Sequence, residues 1–414
     1  MAGGKANPAA NQAGLSTTLP RPPVPLHRPV RADAADYFAP GEVARARSYQ
    51  RPLRRAGLLA SAGVFAVIIA IVFGQAAPRL LGQIPRSPWP LRLLVVVVAT
   101  SVALVAVVLP FALWEEFVHE RRWGFSRVTA RLFLVDGIKG FTLGVALLTA
   151  VSEALWWLMR LTPWWWLAGA AVVMAVSAAL ATILPTVLVP LFNRLEPLPA
   201  GALRDRLEAL AHRAAVGISG YLVMDASRRT TKDNAFFSGM GRTRRIIVFD
   251  NLLQMPAEEV EVVVAHEIGH WRRGHLVRQL PVEAAITLLT FGAVALACTW
   301  PPLLRLAGVL AISDPAAFPL FLLVYGGLGF AGALVSAWLS RWLEREADLD
   351  SLELTRDPAA YRALWRSMTA RNLPDLDPSW WRRVRASHPP VAERLALADR
   401  WESAVDAGAV LPPD

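Results

Sequence analysis

Apolar and polar positions separate along this chain on a scale far longer than one strand or one helical turn. Six apolar runs, 56–77, 93–113, 141–159, 164–189, 282–300 and 318–339, are each near the roughly 20 residues that cross a bilayer core. None of them holds a Lys or Arg. Buried helices of a soluble core would carry polar faces, so membrane spans are the better reading. Trp residues gather at the ends of the runs (Trp156, Trp157, Trp164, Trp165, Trp166, Trp300, Trp338), as in an interfacial belt. Before the first run, residues 1–55 are rich in Pro, Ala and Arg and lack apolar periodicity. They read as a disordered tail with one short helix over Gly41–Tyr49. No secretory signal opens the chain. Glu153 and Glu283 fall in or beside runs, where an interface position and a water-filled cavity account for them equally well.

Composition agrees with this reading. Hydrophobic residues make up 54% of the 414 and charged residues 18%, which excludes a disordered protein and disfavours an ordinary soluble domain. The net charge of +10 is a matter of topology. Segments on alternate sides of the six runs hold 38 of the 43 Lys and Arg on one side. That side is predicted to be the cytoplasm, with both termini, the long segment 190–280 and everything after Ser340. No nucleic-acid-binding pattern accompanies the charge. A single cysteine, Cys298, excludes a disulfide framework and cysteine-ligated zinc, so metal chemistry must come from His, Asp and Glu.

The long segment contains His266-Glu267-Ile268-Gly269-His270. Residues 258–264 have no Pro or Gly, and Pro256 with Glu258 and Glu259 suits a helix start. On one helix His266 and His270 share a face and can both reach one zinc ion. Glu267 is rotated by one residue, too far round for a good ligand and well placed as a general base. Seven histidines in the whole chain make a chance match rare. A third donor is expected just past the last run, in Ser340–Asp348. Glu344 is the best candidate, and Glu346 is an alternative on chemistry alone. Asp348 lies one turn beyond Glu344 and can fix the tautomer of a liganding imidazole. His275 reads as structural, because a fourth protein ligand would close the position a water needs.

Together these blocks resemble the type I CAAX prenyl protease family of membrane zinc metallopeptidases, related to the bacterial heat-shock membrane metalloproteases. The matching segments, in order, are Pro190-Leu191-Phe192-Asn193 with Pro197-Leu198-Pro199, Asn234-Ala235-Phe236-Phe237-Ser238-Gly239 with Arg245–Asp250, His266–Trp271, Ser340-Arg341…Glu344…Ala347-Asp348, and Ser387-His388-Pro389-Pro390…Arg394. Trp123-Gly124-Phe125-Ser126 with Asp136 and Lys139 is a weaker upstream match. Members commonly have seven spans where six are counted here. The resemblance implies Glu344 as third ligand, His388 and Arg394 as stabilisers of the tetrahedral oxyanion, and Asn234 and Ala235 as substrate contacts. The β-branched stretch 244–249 reads as a short strand and 234–237 as an adjoining edge, to which an extended peptide can pair.

The expectation is a mainly α, polytopic integral membrane protein with about six transmembrane helices and a cytoplasmic-face zincin-type site with a small β-hairpin. Its predicted parts are a tail 1–55, four spans in 56–189, a catalytic segment 190–281, two spans in 282–339, and a segment 340–414 with the third ligand and the His-Pro block. The expected activity is a zinc endopeptidase with one Zn2+ per chain. Its expected partners are membrane lipids and peptide or protein substrates, lipid-modified or membrane-embedded ones included, and no nucleic acid. Two substrate classes compete: prenylated CAAX peptides, and damaged or unassembled membrane proteins. The Arg/Ala bias is of bacterial type and favours the second. A non-catalytic membrane scaffold that retains a metal site is the alternative, disfavoured by the intact set of His266, Glu267, His270 and Glu344.

Overall fold

A computed structural model of the chain describes residues 31–238 and 244–407. The first thirty residues of the expected tail, and Gly239 of the matched edge segment, lie outside the described residues. The polypeptide then enters α1 (Pro40–Phe73), α2 (Trp89–Trp114), α3 (Ala130–Leu161) and α4 (Trp165–Ile183). The tail expectation needs correction. Residues 40–55, where one short helix over Gly41–Tyr49 was expected, are the opening turns of α1 and continuous with the first span. Pro40 occupies the first helical position and the Glu42 carboxylate accepts from the Ala39 amide at 2.8 Å. Pro52 lies inside this extension and removes one intrahelical hydrogen bond, so packing and not intrinsic propensity holds it helical. The extension is packed, with Ala46 and Tyr49 buried.

Among the described residues, five helices are long and apolar enough to cross a membrane by length and composition. A bent pair, Trp165–Ala181 with Thr186–Phe192 at 49°, makes a sixth if counted as one span. This matches the six runs. Their outward surfaces carry exposed Leu58, Leu59, Phe65, Leu134 and Ile138, which only an apolar surround accommodates cheaply in such number.

Between the fourth and fifth spans the chain forms β1 (Leu195–Pro197), α5 (Ala202–Arg213), β2 (Gly220–Met224), β3 (Ala235–Ser238), β4 (Arg245–Phe249) and α6 (Ala257–Arg272). The expected strand pair is present and antiparallel, with Ala235 opposite Val248. It belongs to a four-stranded mixed sheet, ordered β1-β2-β4-β3, in which β2 runs parallel to β4. β1 and β2 are too short to show an alternating pattern in the sequence. β3 forms one edge of the sheet, and β3 and β4 rest on α6 and its neighbours through Ala235, Ile246 and Val248.

A glycine turn leads from α6 into α7 (His275–Ala297), a membrane span. α8 (Phe318–Thr355) follows as one unbroken helix of 38 residues, so the last span and the segment with the expected third ligand are one rod. α9 (Pro358–Asn372), α10 (Trp380–Arg385) and α11 (Val391–Asp406) close the chain around the far end of α8. The polar half has its own core, built from Leu207, Leu210, Val260, Val264, Leu349 and Leu352 with their neighbours.

α6 and α8 cross closely at Gly269. A Cβ there would lie 2.9 Å from Asp350 Cβ and 3.1 Å from Ala347 Cα. One of the two is backbone, so the crossing cannot yield cheaply. Gly269→Ala is therefore expected to destabilise the protein by about 1–3 kcal/mol despite the better helix propensity of Ala. Thermal unfolding in detergent checks this; a midpoint equal to or above wild type would contradict the tight crossing.

Candidate metal centre

α6 presents His266 and His270 on one face, and α8 brings Glu344 against both. His266 Nε2 lies 3.2 Å from His270 Nε2. Glu344 Oε2 is 3.5 Å from His266 Nε2, and Glu344 Oε1 is 3.4 Å from His270 Nε2. Four ligands about 2.0 Å from a tetrahedral ion stand about 3.3 Å apart, so this spacing fits a zinc-sized cation with one position left over. Among the described residues, this trio is the one group of three His, Cys, Asp or Glu side chains whose donor atoms converge in this way. Glu346, the alternative on chemistry alone, points elsewhere, to His275 and Arg278.

Each imidazole is held through its other nitrogen. His266 Nδ1 lies 3.0 Å from Asp348 Oδ1, as the spacing of Glu344 and Asp348 led one to expect. Arg394 is buried and donates to Asp348 Oδ1 at 2.7 Å and Glu344 Oε2 at 2.8 Å, with its guanidinium 4.2 Å over the Trp365 ring. Both terminal nitrogens are committed to carboxylates. The guanidinium orients both carboxylates and also lines the cavity. Burial opposes charge on His266, but hydrogen bonding to Asp348 and Glu344 outweighs it and raises its pKa to about 10. Two carboxylates, Glu344 and Asp348, beside His266 make the pocket electrostatically suited to a cation.

These groups line a cavity of about 290 Å³. Glu267, Asn234, Ala235 and His388 line it too. Asn234 is exposed, and its carbonyl accepts from the Phe249 amide at 3.0 Å. Its side-chain oxygen accepts from the Ala235 amide at 2.9 Å, which fixes the start of the edge strand beside the metal ligands. His388 Nε2 lies 3.5 Å from Glu344 Oε1, and Ser387 Oγ is 2.8 Å from His388 Nδ1. Desolvation lowers the His388 pKa despite the Glu344 charge. Asn234, Ala235, His266, Glu267, Glu344, Asp348, His388 and Arg394 thus line one cavity, with His270 beside it against His266 and Glu344.

Other members of the cavity wall carry no sequence signal. Tyr361, Leu364, Trp365 and Met368 of α9 make its apolar side. Asp233, buried and paired with Arg371, anchors the approach to β3. Lys232, which bridges Glu120 at 2.9 Å and Tyr49 Oη at 2.7 Å, fastens the same approach to α1 and to the end of the second span. His275, whose Nδ1 is 2.8 Å from His270 Nδ1, is the closest residue whose part was missed. A glycine at 274, able to fold the chain back, was the available clue.

Comparison with known proteins agrees with this geometry. Residues 24–194 match the CAAX prenyl protease N-terminal domain, described as five membrane helices, and residues 197–402 match peptidase family M48. The chain is 31% identical over 317 residues to the CAAX prenyl protease 1 homolog of Arabidopsis thaliana, covering 72% of this chain and 71% of that protein. It is 28% identical over 324 residues to CAAX prenyl protease 1 of Saccharomyces cerevisiae, covering 70% and 68%. The crystal structure of S. mikatae Ste24p superposes with a TM-score of 0.70 over 92% of each chain at 24% identity, a likeness of fold.

Asp348→Asn is expected to keep the fold while weakening divalent-metal affinity by about 10–100-fold, since an amide holds an imidazole N–H less firmly than a carboxylate does. Chelator competition on the purified protein measures it. Affinity equal to wild type would remove Asp348 from the centre.

Proposed function

Since the chain belongs to peptidase family M48 and is a membrane metalloendopeptidase of the CAAX prenyl protease 1 type, we propose that its metal is zinc, held by His266, His270 and Glu344, and that the site works at the cytoplasmic face of the membrane on membrane-associated or unfolded polypeptides. The convergence of three donor atoms at tetrahedral spacing, with Glu267 opening onto the same cavity, carries the reading. Two imidazoles and a carboxylate suit zinc better than the hard cations. The placement of 38 of 43 basic residues supports the orientation.

The chemistry that zinc brings when bound is Lewis-acid polarisation and acidification of water. The chain's own groups do the rest. An extended substrate pairs with β3 at Asn234 and Ala235, which lays its backbone along the cavity. Glu267 accepts a proton from the attacking water and returns it to the departing amine nitrogen. With Ser387 donating to Nδ1, His388 carries its ring proton on Nε2 and can donate it to the oxygen that gains charge. Arg394 keeps Glu344 and Asp348 in register while this happens.

Relatives bearing the name CAAX prenyl protease make prenylated C-terminal peptides the second substrate class. A matched pair of reporter peptides, unmodified and farnesylated, separates the two: cleavage of the unmodified unfolded peptide supports the broader specificity, and cleavage of the farnesylated one alone overturns it. Glu267→Gln is expected to retain one zinc per chain and to lose at least about 100-fold in cleavage rate. Wild-type turnover by that variant would remove Glu267 as the base. For orientation, a cysteine introduced by Ser403→Cys, an exposed position on α11, is expected to resist a membrane-impermeant maleimide on intact cells and to react after lysis. Labelling of intact cells would reverse the topology.

A further inference from the structure

The two liganding imidazoles are held by different devices. His266 meets a carboxylate directly. His270 meets another imidazole, and that imidazole meets a carboxylate. We propose that His275, backed by Glu346, is the positioning residue that sets the tautomer and ring orientation of His270 and thereby the affinity of the centre for zinc. The inference rests on the zinc reading above.

Hydrogen-bond bookkeeping along the arm supports it. Glu346 Oε2 lies 3.1 Å from His275 Nε2. An ionised carboxylate only accepts, so His275 carries its proton on Nε2 and leaves Nδ1 as a lone pair. His275 Nδ1 is 2.8 Å from His270 Nδ1, a distance at which one nitrogen donates and the other accepts. His270 is therefore the donor at Nδ1, and its lone pair is on Nε2. That is the atom 3.4 Å from Glu344 Oε1 and 3.2 Å from His266 Nε2. The carboxylate at the outer end dictates, through one intervening ring, which nitrogen of His270 faces the metal.

The arm is rigid and sheltered. His275 is 3% exposed and Glu346 is 7% exposed. The His270 and His275 rings stand edge to face, with centroids 4.9 Å apart and planes at 83°. Arg278, one turn along α7, donates to Glu346 and lies 4.6 Å over the Trp342 ring. Gly274 ends α6 at φ +62°, in the left-handed region, and so turns the chain until His275 opens α7 against the face of α6 that carries His270. Both ring nitrogens of His275 are engaged, so it is no ligand itself.

The test uses full-length protein in detergent and reads zinc affinity by competition with a chromophoric chelator, together with the thermal midpoint of the metal-free form. His275→Ala removes the acceptor and is expected to weaken zinc binding about 10–100-fold. His275→Asn offers an amide oxygen near the place of Nδ1 and is expected to recover most of that loss. Glu346→Gln reports on the outer end, with a smaller loss expected, and serves if His275→Ala does not fold. Glu344→Gln is the control for the centre itself. Should it bind zinc like wild type, the metal reading fails and this inference with it. Should Glu344→Gln lose zinc while His275→Ala and Glu346→Gln bind as tightly as wild type, or His275→Asn bind no better than His275→Ala, the positioning role is overturned and the centre stands.

Discussion

Gly269 lets α6 and α8 approach until no side chain fits between them at that level, and the arrangement of the centre follows from that contact. α6 contributes two imidazoles one turn apart. α8 crosses at the right depth to set Glu344 between them. One residue of slip along α8 would rotate the carboxylate by about 100° away from the imidazoles. The crossing is reinforced by Ser351, whose hydroxyl donates to the Val262 carbonyl at 2.9 Å, and by Arg273, which grips Asp350 through two nitrogens. These bonds fix the rotation of α8 as well as its distance.

A helix that presents four buried acids in seven residues would not fold into a protein interior unaided, because an unpaired buried carboxylate is costly. Glu344, Glu346, Asp348 and Asp350 are all buried, and each meets a cation or an imidazole supplied by another element. Arg394 on α11 serves two of them, Arg278 on α7 a third, and Arg273 at the end of α6 the fourth. The acids thus draw three elements onto one rod. Such pairing contributes little net stability, since desolvation offsets much of the Coulombic gain, but removing one partner would cost about 3–5 kcal/mol. The network therefore serves geometry more than stability.

Much of this was legible in the amino-acid sequence. A helical period is enough to place His266 and His270 on one face, and one further turn relates Glu344 to Asp348. The spans announce themselves as long apolar runs without Lys or Arg. What escaped reading depends on tertiary contact. The helix before residue 56 has a polar, Arg-rich pattern and becomes ordered because Tyr49 and Ala46 are buried by partners hundreds of residues away. β1 and β2 have three and five residues, too few for alternation to register. Nothing in the sequence shows that Arg394 meets two carboxylates of α8. His275 reads as an ordinary structural histidine because its role requires a chain reversal at Gly274 and a carboxylate 71 residues on.

α8 is continuous from Phe318 to Thr355, a length of about 57 Å. The same uninterrupted rod has the composition of a membrane span at one end and carries Glu344 at the other, and α7 begins on His275, which touches the His270 ring. The centre is consequently not a portable module. Cutting the chain where apolar gives way to polar would interrupt this rod one turn before Glu344.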